Sequence, residues 1–150
     1  MEDGREVKRT FCEVEIFEEM SGKRIQSFPY PRWPKNPKPG YHDNPRDHFP
    51  DDWNYRDIPP TGDKEQIEFA IKGINEKEMF GFTGRSQIGN IKWKRQDLKI
   101  LLGRCHVKIT VSGAGMSKPA VQWLKVENQG AGRSLQVEKM SKAPPPWVFL

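Results

Sequence analysis

Residues 104–111 read RCHVKITV, and this stretch decides the fold class. Cys105, Val107, Ile109 and Val111 alternate with Arg104, His106, Lys108 and Thr110. A period of two sends successive side chains to opposite faces of a strand, so one face seeks a core and the other meets solvent. TFCEVEIF (residues 10–17) repeats the pattern, with Cys12, Val14 and Ile16 set between Glu13 and Glu15. Met20-Ser21-Gly22-Lys23 supplies a turn and RIQSF a returning strand, so residues 7–28 are expected to form a β-hairpin. PAVQWLKVE and SLQVEKM read as two further strands around a turn at Asn128–Gly132.

The remaining segments differ in character. Residues 29–62 hold nine of the thirteen prolines, together with Tyr30, Trp33, Tyr41, Phe49, Trp53 and Tyr55. Prolines remove backbone donors and fix φ, which predicts a long loop pinned to the body by its rings. Over residues 63–80 an Asp63 cap, Gln66 at the capping-box position and Ile67, Ala70, Ile71 and Ile74 on one face predict the one helix. Residues 97–102, DLKILL, fit either a short helical turn or the start of a strand. SGAGMS (residues 112–117) reads as a flexible loop, and the tail SKAPPPWVFL is proline-rich with four apolar residues at its end.

Together these segments predict a single domain over residues 1–150: a hairpin (7–28), a proline and aromatic loop (29–62), a helix (63–80), a basic β-rich half (81–140) and an apolar tail (141–150). The expected class is mainly β with one helix (α+β). The expected architecture is a small OB-like barrel or a curved antiparallel sheet carrying a long insertion.

Charge is unevenly placed. Residues 1–27 carry five Lys/Arg and seven Asp/Glu, residues 28–60 five of each, and residues 61–84 three and five. Residues 85–150 carry twelve and three, a net +9 within a whole chain of +5. Such a half-chain attracts polyanions and raises their encounter rate. The N-terminal MEDGREVKRT has no apolar run behind it, and no segment reaches the 18 or so apolar residues of a membrane span. The expectation is a soluble cytoplasmic protein. Cys12 and Cys105 both fall on the apolar side of strands and have no CxxC spacing, so buried free thiols are expected rather than a zinc site.

Three constellations carry chemistry. The first is the basic, aromatic run GFTGRSQIGNIKWKRQ followed by the polar face of the 104–111 strand. Arg85, Lys92, Lys94, Arg95, Arg104, His106 and Lys108 are placed to track phosphates, with Trp93 stacking on a base. The run lacks the Gly-Lys-Ser/Thr ending of a nucleotide-binding P-loop. The second is HDNPRDHFPDD, where His42, Asp43, Asp47 and His48, with Asp51 and Asp52, offer imidazole and carboxylate ligands for a divalent metal and a metal-dependent hydrolase. The third joins the aromatic loop 28–60 and the tail 144–150, which suit docking on a protein partner, as in a structural subunit of a phage or viral assembly. No Ser/His/Asp or Cys/His arrangement is readable.

Asp97-Leu98, Leu101-Leu102-Gly103-Arg104, Val107 through Val111 and Trp123-Leu124-Lys125-Val126 together resemble the C-terminal half of small phage-encoded single-stranded-DNA-binding proteins of OB-like fold. The resemblance covers residues 97–128 and implies sequence-tolerant, non-enzymatic binding of single strands, with no cofactor and no catalytic residues. Single-stranded DNA or RNA is therefore the first expectation for a partner.

Overall fold

The computed structural model describes residues 7–34, 56–58, 66–83, 96–100 and 103–144. Within them, β1 (Val7–Glu18) and β2 (Arg24–Pro29) form the expected hairpin, closed at Gly22 with φ of 71°. The Gly22 N–H donates to the Glu18 carbonyl at 2.8 Å. β7 (Gly103–Ala114) lies antiparallel to β1, and β8 (Ala120–Asn128) and β9 (Gln136–Met140) follow by hairpin steps. The result is a six-stranded antiparallel sheet in the order β2-β1-β7-β8-β9, with β3 (Arg56–Ile58) pairing the start of β1. The register there shifts around Arg9, whose φ is 47° and whose N–H donates to Asp57 Oδ1 at 2.8 Å, the geometry of a bulge.

A second, three-stranded sheet is built from β4 (Ala70–Ile71), β5 (Met79–Gly81) and β6 (Lys99–Ile100). The core lies between the two sheets. Val14, Ile16, Val107, Ile109, Leu124 and Val126 from the large sheet meet Met79 and Ile100 from the small one and Leu98 just before it. Gly81 sets the spacing, because a Cβ there would stand 2.7 Å from the Phe28 ring and 3.1 Å from Leu98 Cβ. Of the long loop, the described part is tied down as its aromatics predict. Tyr30 packs against Phe11 with ring centroids 5.9 Å apart, and Trp33 is buried in the core.

The described residues are thus mainly β and antiparallel, and four expectations need correction. The helix expected over 63–80 is absent from its described part, residues 66–80, which instead hold β4, a turn and most of β5. Ile67, Phe69 and Ile71 alternate with Glu68, Ala70 and Lys72, and this period of two prevails over the helical spacing. The turn after β4 is then closed around Lys72, whose ammonium donates to the carbonyls of Gly73 at 3.0 Å and Glu76 at 2.9 Å.

The sheets do not close into a barrel: the large sheet ends on β2 and β9. Residues 112–114 of the expected flexible loop continue β7, with Lys8 opposite Ala114 and Phe11 opposite Ser112. The described part of DLKILL, residues 97–100, takes both of its readings, a 3-10 turn at Gln96–Leu98 that runs into β6. The fourth correction concerns His106, taken up below.

The β8–β9 loop is fastened to the small layer. Asn128 Nδ2 donates to the Lys77 carbonyl at 2.7 Å, Asn128 Oδ1 accepts from the Gly130 N–H at 3.1 Å, and the Gly132 N–H donates to the Ile74 carbonyl at 2.6 Å. Among the described residues, no helix is long and apolar enough to cross a membrane.

Candidate nucleic-acid interface

The alternation that buries one face of the large sheet lays out the other. Opposite one another run Phe17, His106, Lys125 and Glu138 on β1, β7, β8 and β9. Beside this row run Glu15, Lys108, Trp123 and Met140. Side chains directly opposite on adjacent strands stand about 5 Å apart at Cβ, so each row is a line of contacts. The expected polar face of β7 therefore exists, but its members differ.

Arg104 is exposed, and its Nε lies 3.6 Å from Glu127 Oε1. Lys108 is half-buried between Glu15 and Trp123, with its ammonium 5.8 Å from the Trp123 ring centroid, in cation–π range. His106, expected on the exposed polar face of β7, is buried at 4% exposure. On the same face Phe17 stands opposite it on β1, and the Phe17 and Trp123 rings meet with centroids 5.7 Å apart although their strands flank β7. Burial lowers the His106 pKa from its ordinary value, with Glu19 opposing the shift and Lys125 adding to it. His106 is accordingly held mostly uncharged near neutrality.

Neutralisation goes further. Arg24, Arg104, Lys108 and Lys125 share the outer face with Glu13, Glu15, Glu127 and Glu138. Arg24 Nη1 reaches Glu15 Oε2 at 3.2 Å. From Thr10 to Gly22 the chain holds four glutamates and no Lys or Arg. The excess of cations lies at the other side of the sheet. From Gly115 to Pro144, Lys118, Lys125, Arg133, Lys139 and Lys142 are all exposed, against two carboxylates, Glu127 and Glu138. Where β7, β8 and β9 adjoin, a cleft of about 270 Å³ is lined by Glu19, Arg104, Lys125, Glu127, Gln136 and Glu138.

Of the eight residues proposed from sequence, Arg104, His106 and Lys108 share one strand face, while Arg85, Lys92, Trp93, Lys94 and Arg95 lie outside the described residues. So do His42, Asp43, Asp47 and His48, and among the described residues no cluster of His, Cys, Asp or Glu is arranged to hold a metal. The β8–β9 cations were missed because they are scattered in sequence. The available signal was period two in QWLKV, which puts Trp123 and Lys125 on one face.

The two cysteines are free and buried, as expected. Cys105 stands opposite Glu18, six residues along β1 from Cys12, roughly 20 Å at strand rise and far beyond disulfide reach. Burial pushes both thiols up to about 12, with Glu19 adding to the shift at Cys105. No family model matches this chain, and no curated protein or solved structure matches it either.

Proposed function

We propose that this chain is a non-enzymatic, single-stranded nucleic-acid-binding protein whose phosphate contacts lie along β8, β9 and their loops. One observation carries this reading. On the outer face Arg24, Arg104, Lys108 and Lys125 are matched in number by Glu13, Glu15, Glu127 and Glu138, whereas Lys118, Arg133, Lys139 and Lys142, on β9 and the loops beside β8 and β9, add four exposed cations and no carboxylate. Excess positive charge on a surface releases counterions from a bound polyanion and gives sequence-independent affinity. Arg85, Lys92, Lys94 and Arg95 extend the same charge in sequence, and Trp93 supplies a ring for base stacking. The resemblance of residues 97–128 to phage single-stranded-DNA-binding proteins points the same way, and an OB-like ancestry for the open sheet is part of this proposal.

Fluorescence anisotropy with labelled single-stranded and duplex oligonucleotides at two salt concentrations tests it. Binding that favours single strands and weakens steeply with salt supports it; no binding at low salt overturns it.

A second reading, a structural or protein-interaction subunit, is favoured by the edge strand β9. Val137 there is 54% exposed, and Val121, on β8 past the end of its ladder with β9, is 48% exposed. Exposed apolar residues on a sheet edge invite pairing with another chain. This reading expects an oligomer in solution that ignores polyanions.

A further inference from the structure

We infer that His106 and the Phe17–Trp123 pair above it form a pH-operated latch on the outer face of the sheet. Three features place it there. His106 occupies the central strand of the sheet, with Phe17 opposite on β1 and Lys125 opposite on β8. The Phe17 and Trp123 rings meet at 5.7 Å from strands that flank β7, and the imidazole beneath is buried. Its Nδ1 has no hydrogen-bond partner among the described residues.

An imidazolium donates from both nitrogens and needs an acceptor for each. In the closed arrangement Nδ1 has none, so protonation leaves a charged N–H buried and unsatisfied, which is strongly unfavourable. The charged neighbours divide. Glu19, beyond the end of β1, attracts the proton; Lys125 on β8 repels it. Lys108 and Arg104 flank His106 on its own face of β7, but Glu15 and Glu127 stand opposite them. On β9, Glu138 faces Lys125; on β2, Arg24 faces Phe17. No described acceptor reaches Nδ1 while the rings are together. Acidification is relieved by parting Phe17 from Trp123, which admits water to the ring and bares the Trp123 indole. The latch is independent of nucleic-acid binding, since its readout is a ring contact.

The test is proton NMR of the full chain between pH 8 and 5, following the His106 resonance, identified by its absence in His106→Phe, and the Phe17–Trp123 cross-peak. The expected result is a His106 midpoint below the ordinary imidazole value of about 6.5, with the cross-peak lost in step with that titration. His106→Phe keeps the cross-peak throughout. Two further variants, at exposed Lys125 and half-buried Glu19, serve should that substitution unfold the chain. Lys125→Met moves the opening to higher pH, and Glu19→Gln moves it to lower pH. A cross-peak that persists once His106 is protonated overturns the latch, as does an opening pH that neither charge variant shifts.

Discussion

Phe17 on β1 and Trp123 on β8 touch across the strand between them, with ring centroids 5.7 Å apart and planes tilted by 39°. This contact spans the middle of a face that the sequence pattern marks as polar, and His106, on the strand between, is buried. Tilted aromatic pairs contribute about 0.5–1.5 kcal/mol beyond the area they bury. Phe17→Leu should therefore lower stability by about 1 kcal/mol in urea unfolding and raise the His106 pKa toward its ordinary value. An unchanged pKa would show that burial of the imidazole has another source.

Stability should fall on the acid side for the same reason. The folded chain holds His106 below its unfolded pKa of about 6.5, so the unfolded chain takes up the proton first. The contribution is full above that value and is lost as pH drops through it toward the folded pKa. Urea midpoints measured from pH 8 to 5 should decline in this window, and His106→Phe should remove that part of the decline.

The core between the sheets should be intolerant where the layers meet. Ile16 is fully buried, and Ile16→Ala should cost about 2–5 kcal/mol through lost burial and the cavity left behind. At the sheet edge, Val137→Ala should change stability by less than about 0.5 kcal/mol. Gly81→Ala should cost about 1–3 kcal/mol, because its Cβ would meet the Phe28 ring at 2.7 Å. Equal costs at Ile16 and Val137 would contradict the layered core.

Cys12 and Cys105 should resist thiol reagents in the native state. Burial holds both near 12, so almost no thiolate exists at pH 8 and neither sulfur is accessible. A colorimetric disulfide reagent should label neither thiol in buffer and both in denaturant. Rapid labelling of the native chain would show that one of these strand faces opens.

The large sheet was legible in the sequence because its buried apolar residues follow period two along the strands, as Cys12, Val14 and Ile16 show. The small sheet was not. Ile67, Ala70, Ile71 and Ile74 fit a helical stripe, while Ile67, Phe69 and Ile71 fit a strand. Local spacing cannot choose between them; the pairing of β4 with β5, which is tertiary, does. His106 shows the same limit at the site. Alternation gives the face a side chain points to, whereas a ring contributed from β1, some ninety residues away in sequence, decides whether that face is wet. Charge behaved likewise: the +9 of the C-terminal half was readable, but its partial cancellation by β1 glutamates depends on strand order.

The salt dependence of single-strand binding in two charge variants tests the proposed function most directly. Each phosphate contact contributes about 0.7 to the slope of log affinity against log salt for single strands. The account predicts that Lys118→Ala, Lys139→Ala and Lys142→Ala combined lose about 2 of that slope, three contacts at about 0.7 each. It predicts that Arg104→Ala with Lys108→Ala, both already matched by glutamates, leaves the slope nearly unchanged. Loss confined to the Arg104 and Lys108 variant, or a parent protein that does not bind at low salt, would contradict it.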